Sequence, residues 1–271
     1  MKLSSFAQRT ISTLVLGPLL LLALLYLRGD NFSILLALLL IPAAWEWGRL
    51  SGQTMFWPHL WYTVLLVLLF YLSRFISVEW LLGAALFWWW GALLWLRHFP
   101  AGTGWLFAPV TSRIAGIFVL IPAWRSLEVI HHQEQGVELL FFLLLLIWSA
   151  DIGAYLVGRS FGSRKLAPNV SPGKSIEGLL GGIGFSAVFA SVAYLYMGWS
   201  GMGLPLFMLA VVGIVIFSVV GDLVESSYKR SAGLKDSGNL IPGHGGILDR
   251  VDSLTAAAPI FLSILIVSGG L

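Results

Sequence analysis

The stretch "GHGGILDRVDSLTAAAPIFLSILIVSGGL" (residues 243–271) decides how this chain is read. Its first ten positions hold three glycines, a histidine, an arginine and two aspartates. From Ser253 onward the stretch is almost purely apolar. A helix that crosses the hydrocarbon of a bilayer needs about 20 mostly apolar residues. A dense polar cluster therefore lies directly against a sequence that reads as membrane.

The rest of the chain carries the same signal. Of 271 residues, 58% are hydrophobic and only 11% are charged, with 13 Trp. A soluble domain is nearer to about a quarter charged. This is the composition of an integral membrane protein. There is no cysteine. Disulfides, thiolate nucleophiles, Cys-zinc sites and lipoprotein attachment are thereby excluded. The formal charge of +3 is small, and no nucleic-acid partner is expected from it.

The N-terminus, "MKLSSFAQRTISTLVLGPLLLLALLYLRGD", begins like a signal peptide. Its apolar run is long and no A-x-A-like site follows, so it reads as a first transmembrane helix that is kept. Apolar segments recur at 11–27, 32–48, 59–75, 79–96, 106–124, 137–158, 176–198, 203–224 and 252–268. Spanning backbone must satisfy its own hydrogen bonds, so each is a helix. The alternation of a membrane barrel is absent. The expected fold is an all-α polytopic bundle of about nine transmembrane helices. Two regions are expected: residues 1–136, with about five spans, and a catalytic region, 137–271, with about four. Loops 159–175 and 225–251 belong to the second.

Positive charge orients the spans. With the N-terminus inside, the cytoplasmic face carries Lys2, Arg9, Arg49, Arg97, Arg159, Arg164, Lys165, Lys174, Lys229, Arg230, Lys235 and Arg250. The outer face carries Arg28, Arg74 and Arg125, and Arg113 falls inside a span. Both polar loops lie on the cytoplasmic side in this scheme.

Acids within apolar sequence stand out first. Asp151 lies in "LLLLIWSADIGAYLVG" and Asp222 in "VIFSVVGDLVESS". Ionisable groups at membrane depth face a cavity or a partner, unless they lie close enough to a helix end to reach water. Asp249 and Asp252 are three apart where the last span begins, so a helix would place both carboxylates on one face. Helix capping by one of them is the plainer reading. With Asp222, they form an oxygen-only set, which suits Mg²⁺ better than zinc.

Lys229, Arg230, Lys235, His244 and Arg250 surround these acids. Positive-inside bias and headgroup contact explain part of that charge. They do not explain its interleaving with "GNLIPGHGG", where glycines let backbone N–H groups approach an anion. "SPGKS" (171–175) is not a Walker motif, because the required upstream glycine position, 168, is proline. It reads instead as a helix start, with Ser171 as N-cap and Pro172 at the first position. Lys174 then adds a cation to a phosphate-attracting helix N-terminus, or simply snorkels. Lys165 and Arg164 strengthen the phosphate reading. "EGLLGGIG" (177–184) spaces Gly178 and Gly182 for close helix packing, and "FWWWG" (87–91) reads as an interfacial anchor. These features together point to phosphoryl or nucleotidyl transfer on a membrane lipid.

Residues 226–252, "SSYKRSAGLKDSGNLIPGHGGILDRVD", resemble the signature of the phosphatidate cytidylyltransferases. Ser226, Lys229, Arg230, Lys235, Asp236, Gly238, Pro242, His244, Gly245, Gly246, Asp249, Arg250 and Asp252 all fall in place. Tyr228 stands where an aliphatic residue or Phe is usual. The stretch 150–178 also resembles the family's upstream region, whereas the N-terminal half matches only as a hydrophobic bundle. The resemblance implies that CTP and phosphatidate give CDP-diacylglycerol and diphosphate, in phospholipid biosynthesis. It implies metal at Asp222, Asp249 and Asp252, and catalytic cations at Lys229, Arg230, Lys235, His244 and Arg250. It implies substrate-phosphate contacts at Lys165, Ser171, Lys174, Ser226, Gly245 and Gly246, with Asp151 and Asp236 as supporting acids. It further implies Mg²⁺ with a second cation such as K⁺, a homodimer, and a bacterial-type cytoplasmic membrane.

Other readings compete. A CDP-alcohol phosphotransferase needs Gly after its first motif aspartate, but Ile152 follows Asp151. A CTP-dependent membrane lipid kinase shares the nucleotide and the bilayer. An ion-coupled transporter would use Asp151 and Asp222 as midplane sites.

Overall fold

The computed structural model describes residues 5–53, 55–197 and 202–269, without the side chains of 5–11, 13 and 16. The predicted Lys2 and the side chain of Arg9 lie outside the described residues. Nine long helices run in chain order: α1 (Ser5–Tyr26), α2 (Asp30–Leu50), α3 (Phe56–Leu72), α4 (Val78–Trp95), α5 (Pro109–His131), α6 (Gly136–Phe161), α7 (Ile176–Met197), α8 (Leu204–Ser231) and α9 (Leu248–Val267). Each expected apolar segment is a helix. Among the described residues, eight of them are long and apolar enough to cross a membrane, and α1 adds the shorter apolar stretch Gly17–Tyr26. The chain is an all-α polytopic membrane protein. The reason is the one that predicts it: backbone in hydrocarbon has only its own chain to bond.

A short antiparallel hairpin, β1 (Lys165–Ala167) with β2 (Ser171–Ser175), separates α6 from α7. It corrects the expectation of a helix starting at Ser171. The helix starts at Ile176, and Ser175 accepts the Gly178 N–H at 3.1 Å. The capping role therefore falls four residues later than predicted. Gly178 and Gly182 do bring α6 and α7 together, because an added Cβ would lie 3.0 Å from the Ala154 carbonyl and 2.9 Å from that of Ala150.

The expected loop 225–251 is also corrected. α8 continues to Ser231, so Ser226, Lys229 and Arg230 are helical. The polar residues after Asp222 continue the helix because their side chains find partners on its own face. The helix stops where Gly233 takes φ +69°. The aromatic run 87–91 lies well inside α4, away from either end. Trp89 is fully buried, Trp88 stacks on Phe118 and Trp90 meets Phe217 edge-on. Phe87 and Trp90, by contrast, are exposed on the outside of the bundle.

α9 packs against α8, α5 and α4, and also touches α6 and α2. One end of the bundle is tied by a buried carboxylate, Glu128, which pairs with Arg74 and with Arg125 at 2.6 Å. Arg74 also reaches Asp30 at 3.1 Å. The opposite end gathers the hairpin, the α4–α5 connection and the α8–α9 loop. Asn169 donates to the Phe99 carbonyl, and Tyr228 to that of Leu106. Arg113 belongs to this end, one turn into α5, since that helix starts at Pro109 and not at 106.

Candidate active site

The polar end is organised by one face of α8. Asp222, Glu225, Ser226 and Lys229 recur at helical spacing, so their side chains line one stripe. Lys229 is buried, and its Nζ lies 3.1 Å from Glu225 Oε1 and 2.7 Å from Asp249 Oδ1. A lysine can stay charged away from water only beside compensating acids. Here two flank it, one from its own helix and one from α9.

Asp249 is fully engaged. Besides Lys229, its Oδ2 accepts the Ser237 N–H at 2.9 Å, the Ser237 hydroxyl at 3.0 Å and the Gly246 N–H at 2.9 Å. The reach back to Gly246 ties the first turn of α9 to the loop before it. Gly245 takes φ +85°, and its carbonyl accepts the Ile241 N–H, which closes the turn through Pro242, Gly243 and His244.

The second cluster opens on a cavity. Lys174, from β2, meets Asp222 Oδ2 at 2.5 Å, and Ser226 donates to Asp222 Oδ1 at 3.1 Å. Both partners of this ion pair remain partly exposed, 28% and 29% at the side chain. Lys174 lines a cavity of about 360 Å³ together with Asp151, Tyr155 and Arg159. Its other walls include Ala150, Ala154, Leu179, Val215 and Val219. The cavity is thus polar along one side of α6 and at Lys174 of the hairpin, and apolar where α7 and α8 face it.

The predicted residues separate into three groups. Lys174, Asp222, Ser226, Lys229, Asp249 and Asp252 meet around the α8–α9 contact. The helices touch there, since a Cβ on Gly221 would lie 2.5 Å from the Asp252 carbonyl. Asp252 accepts the N–H of Ser253, and Asp222, Lys229 and Lys174 lie within its electrostatic reach. A second group is occupied by the fold. The Gly246 N–H, expected to meet substrate phosphate, is taken by Asp249. The His244 N–H donates to the Ile241 carbonyl. Arg230 donates to the carbonyls of Val170 and Leu234, and Arg164 pairs with Glu177. The third group, Lys165, Lys235, Asp236 and Arg250, is exposed, with Ser171 half-buried in β2.

Of the three expected metal-binding aspartates, Asp249 has its Oδ2 taken by loop donors. Among the described residues, no three carboxylate or imidazole groups stand where they could share one ion. Asp249 is turned toward the loop because amide and hydroxyl donors hold its Oδ2. Asp222 and Asp252 remain, on facing helices, as oxygen donors of the kind a hard divalent cation takes. At this end of the bundle two buried acids escaped the sequence reading: Glu225, and Glu46 in α2, whose carboxylate accepts from Ser237, Ile247 and Leu248. Both were discoverable by the criterion that singled out Asp151 and Asp222, an acid set in apolar sequence.

Comparison with known proteins shows the family. Residues 7–268 match the model of the cytidylyltransferase family. A Pseudomonas aeruginosa protein named phosphatidate cytidylyltransferase is 41% identical over 266 residues, covering 97% of each chain. One of the same name from Haemophilus influenzae is 36% identical, covering 94% of this chain and 96% of its own. A third, from Bacillus subtilis, is 39% identical over 154 residues, 56% of each chain. The chain belongs to the cytidylyltransferase family.

Proposed function

We propose that this member of the cytidylyltransferase family transfers the cytidylyl group of CTP to phosphatidate, releasing diphosphate. The observation that carries the reading is the two-sided cavity beside the Lys174–Asp222 pair. Its ionic residues, Lys174, Arg159 and Asp151, suit phosphates, and its apolar walls on α7 and α8 suit an acyl-bearing substrate. In the reaction, a phosphate oxygen of phosphatidate attacks the α-phosphorus of CTP. One P–O bond forms, the α–β anhydride bond breaks, and its electrons leave on diphosphate. The nucleophile is already anionic at neutral pH, so no strong general base is needed.

The obstacle is repulsion between two anions. Preorganised cations lower such a barrier because they need no rearrangement as charge develops. Lys174 stands at the cavity, with Arg159 beside it. Lys235 and Arg250, both exposed, would attract the nucleotide from solution. Asp222 and Asp252 would hold Mg²⁺, which supplies charge neutralisation at the phosphates. Lys174 would then release Asp222 and turn to a substrate phosphate.

Positive-inside bias supports a cytoplasmic site in a bacterial-type inner membrane. The homodimer and a second cation such as K⁺ follow from the family resemblance. The test is diphosphate release by the purified protein in detergent micelles. Release from CTP should require both phosphatidate and Mg²⁺. Release without the lipid, or turnover unaffected by a chelator, would contradict the reading.

A further inference from the structure

Glu46 lies in α2, about 190 residues from the loop it touches. It is 4% exposed. Its Oε2 accepts the Ser237 hydroxyl at 2.9 Å and the Leu248 N–H at 2.8 Å, and its Oε1 accepts the Ile247 N–H at 3.1 Å. Ile247 caps α9 and Leu248 begins it, where backbone N–H groups lack helical partners and the helix dipole favours an anion. The loop is moulded closely onto this carboxylate. A Cβ on Gly238 or on Gly246 would lie 2.3 Å from a Glu46 oxygen. Glycine at these two positions permits the approach.

The contact has a second side. The Ser237 hydroxyl lies between Glu46 Oε2 at 2.9 Å and Asp249 Oδ2 at 3.0 Å, and the two carboxylates share its single proton. Asp249 in turn holds Lys229 at 2.7 Å. One hydroxyl thus links the N-terminal helices to the carboxylate that holds the site lysine. α2 is itself fixed, since Trp47, next to Glu46, donates to the Ser112 carbonyl at 2.8 Å and packs on Tyr228.

We infer that Glu46 is a positioning residue for cytidylyl transfer: through Ser237 and the amides at the start of α9 it fixes the Asp249–Lys229 scaffold, and with it the α8–α9 contact that carries Asp222 and Asp252. Glu46 does not touch substrate. Its role rests on the proposed reaction, and it gives the N-terminal half of the chain a part in the chemistry. The anion-receptive start of α9 is accordingly occupied by a protein carboxylate, which is why substrate phosphates are left to the lysine and arginine side chains.

The test uses the full-length protein in detergent, with phosphatidate-dependent diphosphate release as the assay. Glu46→Gln keeps the size but presents an N–H₂ group where a backbone N–H needs an acceptor. It should lower kcat about 10- to 100-fold, as small misplacements of reacting groups do. KM for CTP should stay within about twofold of wild type, because binding groups are retained. Ser237→Ala should lower kcat several-fold alone and add little in the Glu46→Gln background. Hydrogen exchange at the amides of residues 246–248 should quicken in Glu46→Gln. Unchanged kcat in Glu46→Gln, or effects that multiply in the double variant, would overturn the inference. If Glu46→Gln does not accumulate, Ser237→Ala decides alone: a several-fold loss of kcat supports the inference and wild-type kcat overturns it. A wild-type protein without lipid-dependent release would instead refute the reaction itself, while the exchange rates still report whether Glu46 holds the loop.

Discussion

Two lysine–aspartate pairs stand on the same face of α8, and they are built differently. Lys229 and Asp249 are buried, and every oxygen of Asp249 has a donor. Lys174 and Asp222 are partly open, and the lysine comes from a short hairpin at the mouth of a cavity. A buried pair costs too much to break for it to be exchanged during turnover. A half-exposed pair is held weakly and can trade partners with a ligand. The first pair therefore reads as scaffold and the second as the working part of the site.

This contrast can be broken at several points. The largest effect should come from Lys229→Met, which leaves Glu225 and Asp249 facing each other without a cation. Loss of one partner of a buried pair costs about 3–5 kcal/mol. Thermal unfolding in detergent should show a severe drop, and a stability near wild type would show that Lys229 is not structural. Asp222→Asn should act the other way. Its pair is exposed enough that stability should change by less than about 1 kcal/mol. Turnover should nevertheless fall at least about 100-fold, the scale for a lost charge-handling group. Equal losses of stability and activity in both variants would erase the contrast.

Gly246→Ala forces a Cβ to within 2.2 Å of the Ser237 hydroxyl and 2.3 Å of Glu46. Overpacking of this kind costs about 1–3 kcal/mol, measurable as a lowered unfolding temperature. An unshifted transition would mean that the loop is looser than its contacts indicate. Ser226→Ala removes the bond to Asp222 and should cost only about 1 kcal/mol. Its sharper readout is the Mg²⁺ concentration for half-maximal activity, which should rise because Asp222 loses its orientation.

The bundle was legible in the sequence because hydrocarbon admits so few backbone arrangements. All nine apolar runs become helices, and close packing through Gly178 and Gly182 follows from small residues at helical spacing. The helix ends at the polar face were not legible. The residues 225–231 look like loop by hydropathy, yet Glu225 and Lys229 satisfy each other at i,i+4 and keep the helix going. In "SPGKS" the cap and proline signals were read at Ser171, but strand pairing with residues 165–167 claims that segment. At the site, residue types were legible but partners were not. Spacing suggests that Asp249 and Asp252 point together, whereas backbone donors in the preceding loop turn Asp249 away. Nothing local to "AAWEWGRL" announces that Glu46 meets the start of α9, because that contact depends on how α2 docks.

The most direct measurement follows the phosphates of CTP. Purified protein, phosphatidate and Mg²⁺ would be incubated with CTP labelled at either the α- or the γ-phosphate, for wild type and for Asp222→Asn. The account predicts that α-label enters the lipid and γ-label leaves as diphosphate, and that both transfers are lost in the variant while its fold persists. Entry of γ-label into the lipid would contradict it and identify a kinase. Full transfer of α-label by Asp222→Asn would contradict the placing of the reaction at the Lys174–Asp222 pair.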